Sequence, residues 1–186
     1  SVGFMQPWNF LLIQSDETKQ KIHDLFVKAN AEAAAMFEGQ KRNIYTKLKL
    51  EGILSSPINL CITCDRTRSG PVVIGRTHDL DMDLYSSVCA AQNLWLAARA
   101  EGLGVGWVSI FNKQGLKQAL KLPEHVTPIA YLCIGYVDHF FTKPELEAGG
   151  WRERLNLEEL IKLEHWGNNE PLPDDLKDAI IKAKQL

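Results

Sequence analysis

Between Asp81 and Glu101, the apolar residues Val88, Cys89, Ala91, Leu94, Trp95, Leu96, Ala97 and Ala98 fall around almost the whole circumference of a helix. A helix covered on one side needs only a stripe of such residues. The segment therefore predicts a buried spine, covered on one side by its own chain and on the other by a second copy. With 186 residues, 45% of them hydrophobic, the chain has room for one sizeable core, and a single domain over residues 1–186 is expected.

The segments around the spine alternate in type. Trp8 to Ile13 reads as a strand, and Ser15 and Asp16 offer a cap for a helix carrying Ile22, Leu25, Phe26, Ala29 and Ala33 at helical spacing. Polar residues 38–45, after the alanine-rich end of that helix, suit a mobile flap, and a short helix is expected from Thr46 to Leu54. Pro57 to Cys64 and Thr127 to Val137 read as strands, with a polar exit loop over Asp65–Gly70. Lys113 to Leu122 reads as a helix stopped by Pro123, and a Pro/Gly-punctuated linker runs to Gly150. A helix over Leu157–His165 and an amphipathic tail from Pro173 close the chain. Strands interleaved with helices define an α+β or α/β layered fold.

Charge narrows the partners. Lys and Arg total 21 against 23 Asp and Glu, a net charge of −2, and the basic residues are scattered, which argues against nucleic acid or an anionic membrane surface. No apolar run is long enough for a spanning helix and no export signal is visible, so the cytoplasm is the expected compartment. The cysteines Cys61, Cys64, Cys89 and Cys133 sit in apolar runs and are expected to be buried thiols. Cys61 and Cys64, three apart in a strand, point to opposite faces and make a poor metal half-site. The five histidines form no ligand-spaced pair, so no metal is expected. Ser109 lacks the Gly-x-Ser-x-Gly setting of an acyl-transfer nucleophile.

Two motifs carry binding chemistry. Gly102 to Gly106 follows a helix instead of opening one, which fits a helix cap feeding a strand better than a phosphate cradle. Beyond it, Trp107, Val108 and Ser109 present backbone N–H groups and a hydroxyl at a strand end, where α/β proteins commonly hold ligands. Arg152 and Arg154 project to one side of an extended backbone, so their forks suit a phosphate, although a solvated surface triplet is the plain alternative.

The opening Ser1-Val2-Gly3-Phe4-Met5-Gln6-Pro7-Trp8 resembles the Pro-Ser-x-x-x-Gln-Pro-Trp loop of the nitroreductase-like flavoproteins. Gly75-Arg76-Thr77-His78, Met82-Asp83-Leu84-Tyr85-Ser86, Gln92 to Arg99, Gly104 to Phe111, and Gly150-Trp151-Arg152-x-Arg154 extend the likeness to the 5,6-dimethylbenzimidazole synthase family within that superfamily. The resemblance implies a nitroreductase-like fold: a central, mostly antiparallel sheet flanked by helices, a long spine helix, and a two-fold dimer with FMN at the subunit interface. It also implies that reduced FMN is substrate as well as cofactor. With O2 it would be broken into 5,6-dimethylbenzimidazole, the lower ligand of vitamin B12, and erythrose 4-phosphate, with a separate flavin reductase supplying electrons. Ser109 would then sit by the reactive flavin edge and orient the oxygen-derived group or relay a proton. Ser1, Gly3 and Gln6 would lie along the ring, Trp107 and Val108 would line the slot, and Arg152 and Arg154 would hold the ribityl phosphate. Met36 and the rest of a lid over residues 36–50 would close the site, and a C-terminal extension over 163–186 would wrap the partner subunit. The same family carries, before this loop, an Arg-rich FMN-contacting motif and a functional Asp, so an N-terminal piece is expected to be missing. Alternatives are an NAD(P)H-dependent nitroreductase or flavin reductase, and a non-catalytic flavin binder.

Overall fold

Alternation along the two central strands sorts the core into two layers. In the computed structural model of the chain, which describes residues 1–183, β1 (Trp8–Ile13), β2 (Ile58–Asp65), β3 (Leu103–Val108) and β4 (Val126–Tyr136) form one antiparallel sheet in the order β1-β2-β4-β3. Cys61 of β2 and Tyr131 and Cys133 of β4 point to one face, where Ile13, Ile22, Phe26, Ile53, Val108 and Leu116 complete a core. Their neighbours Leu60, Ile62, Ala130 and Leu132 point to the other face, against Ala91 and Leu94. This is the period of two expected of strands covered on both sides.

The first face is covered by α1 (Asp16–Ala35) and α4 (Lys113–Ala119). α1 starts where its sequence predicts: the Ser15 hydroxyl accepts the Thr18 N–H, and Asp16 and Glu17 meet the positive end of the helix dipole. Lys19 is buried because its ammonium donates to the Ser56 and Pro57 carbonyls at 2.8 and 3.1 Å, beside β2. α4 is capped by the Asn112 side chain, which accepts from both Gln114 and Gly115.

The other face is covered by α3 (Met82–Ala100), which reaches β3 through the left-handed Gly102 (φ 76°). Here the expectation of a helix buried all round is corrected for the single chain. Asp83, Ser86, Ser87 and Ala91 are buried, while Tyr85, Val88 and Leu96 are 51%, 42% and 60% exposed. One sheet covers one side of a helix, and among the described residues Tyr85, Val88 and Leu96 on the other side stay exposed. Cys89 lies on that outer side and is exposed, unlike the buried Cys61, Cys64 and Cys133, so the expectation of four buried thiols holds for three.

Two local segments differ in secondary structure from their sequence pattern. Of residues 38–45, read as a polar flap, Gly39–Tyr45 form α2, with the Tyr45 hydroxyl donating to Asn30 Oδ1 at 2.7 Å and the Phe37 ring tilted against Tyr45 at 4.9 Å. Residues 46–54, read as a helix, are turns: the buried Ile53 and the Glu51 carboxylate that accepts its N–H tie the segment to the core instead.

The chain divides into two compact units, Ser1–Thr142 and a second beginning at Lys143. The second holds α5 (Glu145–Ala148), inside what reads as linker, then α6 and α7 (Asp174–Ala183). α6 spans only Leu157–Leu160, not Leu157–His165, because Ile161 turns to extended backbone. The last three residues of the expected 163–186 extension lie outside those described. No helix among the described residues is long and apolar enough to cross a membrane.

Candidate functional site

β3 is an edge strand, and its end opens on a cleft of about 210 Å³ lined by Trp107, Val108, Ser109, Phe111, Lys113, Leu116 and Pro128–Tyr131. The sequence motif at Trp107–Ser109 is thus brought to one concave surface. Val108 contributes backbone only, since its side chain is 2% exposed in the core and paired across the ladder with Tyr131. Ser109 lies just past the strand and is exposed, so its hydroxyl is free to meet a ligand.

The opposite wall is shaped by an irregularity invisible in the sequence. Ile62 pairs with Ala130 but Thr63 with Pro128, leaving Ile129 as an extra residue in β4. Such bulges bend a strand and re-aim its neighbours, commonly beside sites. The Tyr131 hydroxyl is buried without a hydrogen-bond partner of good geometry among the described residues. Burial raises its pKa, and the nearby Asn59 amide only partly offsets this, so the phenol stays protonated at any working pH. Phe111 meets the same ring edge-on at 5.8 Å. Lys113 and Tyr131 carry no motif signal: Lys113 opens α4 just beyond Ser109, and Tyr131 is the ladder partner of Val108.

The N-terminal loop forms a separate, tightly determined turn. Ser1 Oγ accepts the Gln6 N–H at 2.9 Å, and the Val2 N–H donates to Ser86 Oγ at 3.1 Å. Gly3 has φ 56°, and a Cβ there would overlap the Val73 side chain and lie 2.5 Å from the Ile74 carbonyl. Reciprocally, a Cβ on Gly75 (φ 83°) would lie 2.5 Å from Val2 Cγ1. The two glycines let residues 1–6 dock on residues 72–76. Gly3 therefore has a packing role that its motif does not reveal.

Residues 72–76 are in turn held by charge. Asp83, 1% exposed at the start of α3, receives Arg66 at 2.9 Å and Arg76 at 3.1 Å, and Arg76 also donates to the Arg66 and Gly70 carbonyls. A buried carboxylate is tolerable because two guanidiniums and the Leu84 N–H, at 2.7 Å, surround it. The Arg76 and Asp83 of the sequence motifs are thus structural neighbours.

The remaining candidates lie elsewhere. Met36 caps the C-terminal end of α1 and is 79% exposed. Arg152 and Arg154 are exposed, in the second unit, in a stretch with neither helix nor strand. Among the described residues no group of three or more His, Cys, Asp or Glu side chains converges.

The sheet order and the spine helix define a layered α+β scaffold, and comparison with known proteins gives its class: the nitroreductase family profile matches residues 1–136. The chain belongs to the nitroreductase family and is an oxidoreductase enzyme. Within that family it is 40% identical to a 5,6-dimethylbenzimidazole synthase of Rhodospirillum rubrum, over 83% of this chain and 73% of that one. A second 5,6-dimethylbenzimidazole synthase, from Rhodobacter capsulatus, is 32% identical over 85% of this chain and 76% of its own. The fold matches a solved iodotyrosine deiodinase bound to FMN and 3-iodo-L-tyrosine, with TM-score 0.64, 16% identity, and coverage of 89% of this chain and 80% of that one.

Proposed function

We propose that the protein converts reduced FMN and O2 to 5,6-dimethylbenzimidazole, with erythrose 4-phosphate as the sugar remnant. The observation that carries this reading is the 40% identity to a named 5,6-dimethylbenzimidazole synthase over most of the chain. The cleft residues fit a flavin edge in chemistry. Trp107, Phe111 and Pro128 offer apolar walls, Ser109 a hydroxyl that donates or accepts, and Tyr131 a buried phenol without a partner of good geometry. Reduced FMN supplies the electrons that activate O2 and is itself consumed.

The chain's own residues then divide the work. Ser109 holds or moves a proton at its hydroxyl beside the flavin edge, favouring ring fragmentation over loss of peroxide. Trp107 and the Val108 backbone line the slot, while Ser1, Gly3 and Gln6 lie along the ring. Arg152 and Arg154 grip the phosphate with paired forks, as its double negative charge requires. The lid over residues 36–50, with Met36 at its start, excludes water. A second copy covers the outer side of α3, where Tyr85, Val88 and Leu96 are exposed, and a separate reductase delivers reduced FMN.

The test mixes the protein with photoreduced FMN in air. Irreversible loss of the flavin spectrum with appearance of 5,6-dimethylbenzimidazole is the expected result. Quantitative return of oxidised FMN identifies a binder instead, and rapid bleaching of bound flavin by NADPH identifies a nitroreductase.

A further inference from the structure

Two of the first six residues adopt a backbone that side chains disfavour. Phe4 and Gln6 have φ of 53° and 47°, in the left-handed region, on either side of Met5. Their own side chains do not explain it: Phe4 is 82% exposed and Gln6 is exposed too. Strain of this kind persists only where surrounding structure over-determines it, and it concentrates at ligand-facing segments.

The Val2 N–H on Ser86 Oγ fastens the start of the loop at long range, and one guanidinium fastens its far end. Arg68 Nη1 donates to the Gln6 carbonyl at 2.7 Å and to the Trp8 carbonyl at 2.9 Å, while Nη2 donates to Asn9 Oδ1 at 2.7 Å. The Asp65 carboxylate lies 3.8 Å from Nη2, beyond hydrogen-bond distance, so the fork is directed at the loop and not at its nearest acid. Arg68 is itself fixed by a tight turn, in which its N–H donates to the Asp65 carbonyl, Gly70 N–H donates to Thr67, and Ser69 and Gly70 are left-handed. The Asp65 carboxylate closes that turn by accepting from the Thr67 N–H and hydroxyl at 2.9 and 2.7 Å. With the Gln6 carbonyl held by Arg68 and its N–H by Ser1, the peptide groups on both sides of Gln6 are fixed and its side chain is left outward.

We propose that Arg68 is a positioning residue: its guanidinium holds Gln6 left-handed and so sets the Ser1–Gln6 turn in the conformation that meets the flavin. This deepens the flavin reading of the same loop and rests on it. A lysine cannot replace the arginine, because a point charge on a flexible stem does not span three acceptors arranged as a fork.

The experiment titrates oxidised FMN, followed by fluorescence quenching, into the 186-residue chain and into Arg68→Ala and Arg68→Lys, with a melting curve for each. Kd for FMN is expected to rise about tenfold in both variants, with melting temperatures within a few degrees of the parent, since misplacing a binding group costs affinity without removing core contacts. Adding Gln6→Asn to Arg68→Ala, which keeps the amide and tolerates the left-handed backbone better, is expected to restore affinity severalfold. Unchanged Kd in both variants, full function of the lysine variant, a loss that merely tracks the fall in melting temperature, or no recovery with Gln6→Asn overturns the proposal. A parent chain that binds no FMN overturns it together with the flavin reading. A parent that binds FMN but makes no benzimidazole overturns only the proposed reaction, and the Arg68 affinities still decide the positioning role.

Discussion

Replacing Asp83 with Asn removes one negative charge from a site where two positive ones converge. The Asp83 side chain is 1% exposed and that of Arg76 6%, whereas Arg66 is 29% exposed and keeps a second partner, Asp81, at 3.0 Å. The cost therefore falls on Arg76, which is left as a buried cation facing a neutral amide. Breaking a buried pair in this way costs about 3–5 kcal/mol. For a chain of this size each kcal/mol lowers the melting temperature by about 2–4 °C, so a fall of roughly 10 °C is expected. Thermal denaturation followed by circular dichroism measures it. The double variant Arg76→Met with Asp83→Leu fills the same space without an orphaned charge and is expected to recover much of the loss, since apolar replacement of a buried pair is often neutral or stabilising. A fall of less than about 3 °C in Asp83→Asn would mean that water screens the cluster. Arg76 would then be held chiefly by its bonds to the Arg66 and Gly70 carbonyls.

Three further outcomes are expected. Ser109→Ala keeps FMN affinity while the yield of 5,6-dimethylbenzimidazole, measured by chromatography, falls about 100-fold, the scale of one lost proton-handling group; normal yield would remove Ser109 from the chemistry. Arg152→Ala and Arg154→Ala each weaken FMN by about tenfold or more but leave riboflavin, which has no phosphate, unaffected; an equal effect on both ligands would exclude a phosphate role. Burial pushes the Cys61 thiol up to about 12, so its neutral form belongs to the folded state. That contribution is complete below the ordinary thiol value of about 8.5 and is lost as pH rises from there towards 12, which urea titrations at pH 8 and 10.5 compare directly. At pH 8 Cys61, Cys64 and Cys133 are accordingly expected to react with a thiol reagent only after unfolding.

Much of the layer structure is legible from single residues. Cys61 and Ile62 point to opposite faces because a strand alternates, and the sheet places them in opposite cores. Ser15 and Asn112 carry the cap chemistry of the helices they open. What escapes the sequence is tertiary. Residues 38–45 read as a polar flap, and nothing local says that Gly39–Tyr45 wind into a helix whose Tyr45 hydroxyl finds Asn30. The loop at Ser1–Gln6 can be recognised by resemblance, but its hydrogen bond with Arg68, 62 residues on from Gln6, is a contact at long range with no periodic signature. Ser109 is found from its strand-end motif, whereas Lys113 and Tyr131 enter the same cleft only because the ladder pairs Val108 with Tyr131 and α4 follows at once.

The spine helix gives the last prediction its force. Its apolar circumference anticipates cover on every side, yet one chain leaves Tyr85, Val88, Leu96 and Cys89 outward. The cleft beside Ser109 is also small: about 210 Å³, below the ~300–1,000 Å³ usual for a small-molecule site and too little for the whole of the proposed ligand. Both shortfalls are met at once if a second copy seats on the outer side of α3 and helps to enclose the ligand. Dilution is then expected to weaken FMN binding and to expose Cys89 together, with the midpoint of both at the protein concentration where sedimentation shows the dimer separating. Full FMN affinity in a chain that sediments as a monomer would break that link, and would leave the exposed face of α3 without a role in the chemistry.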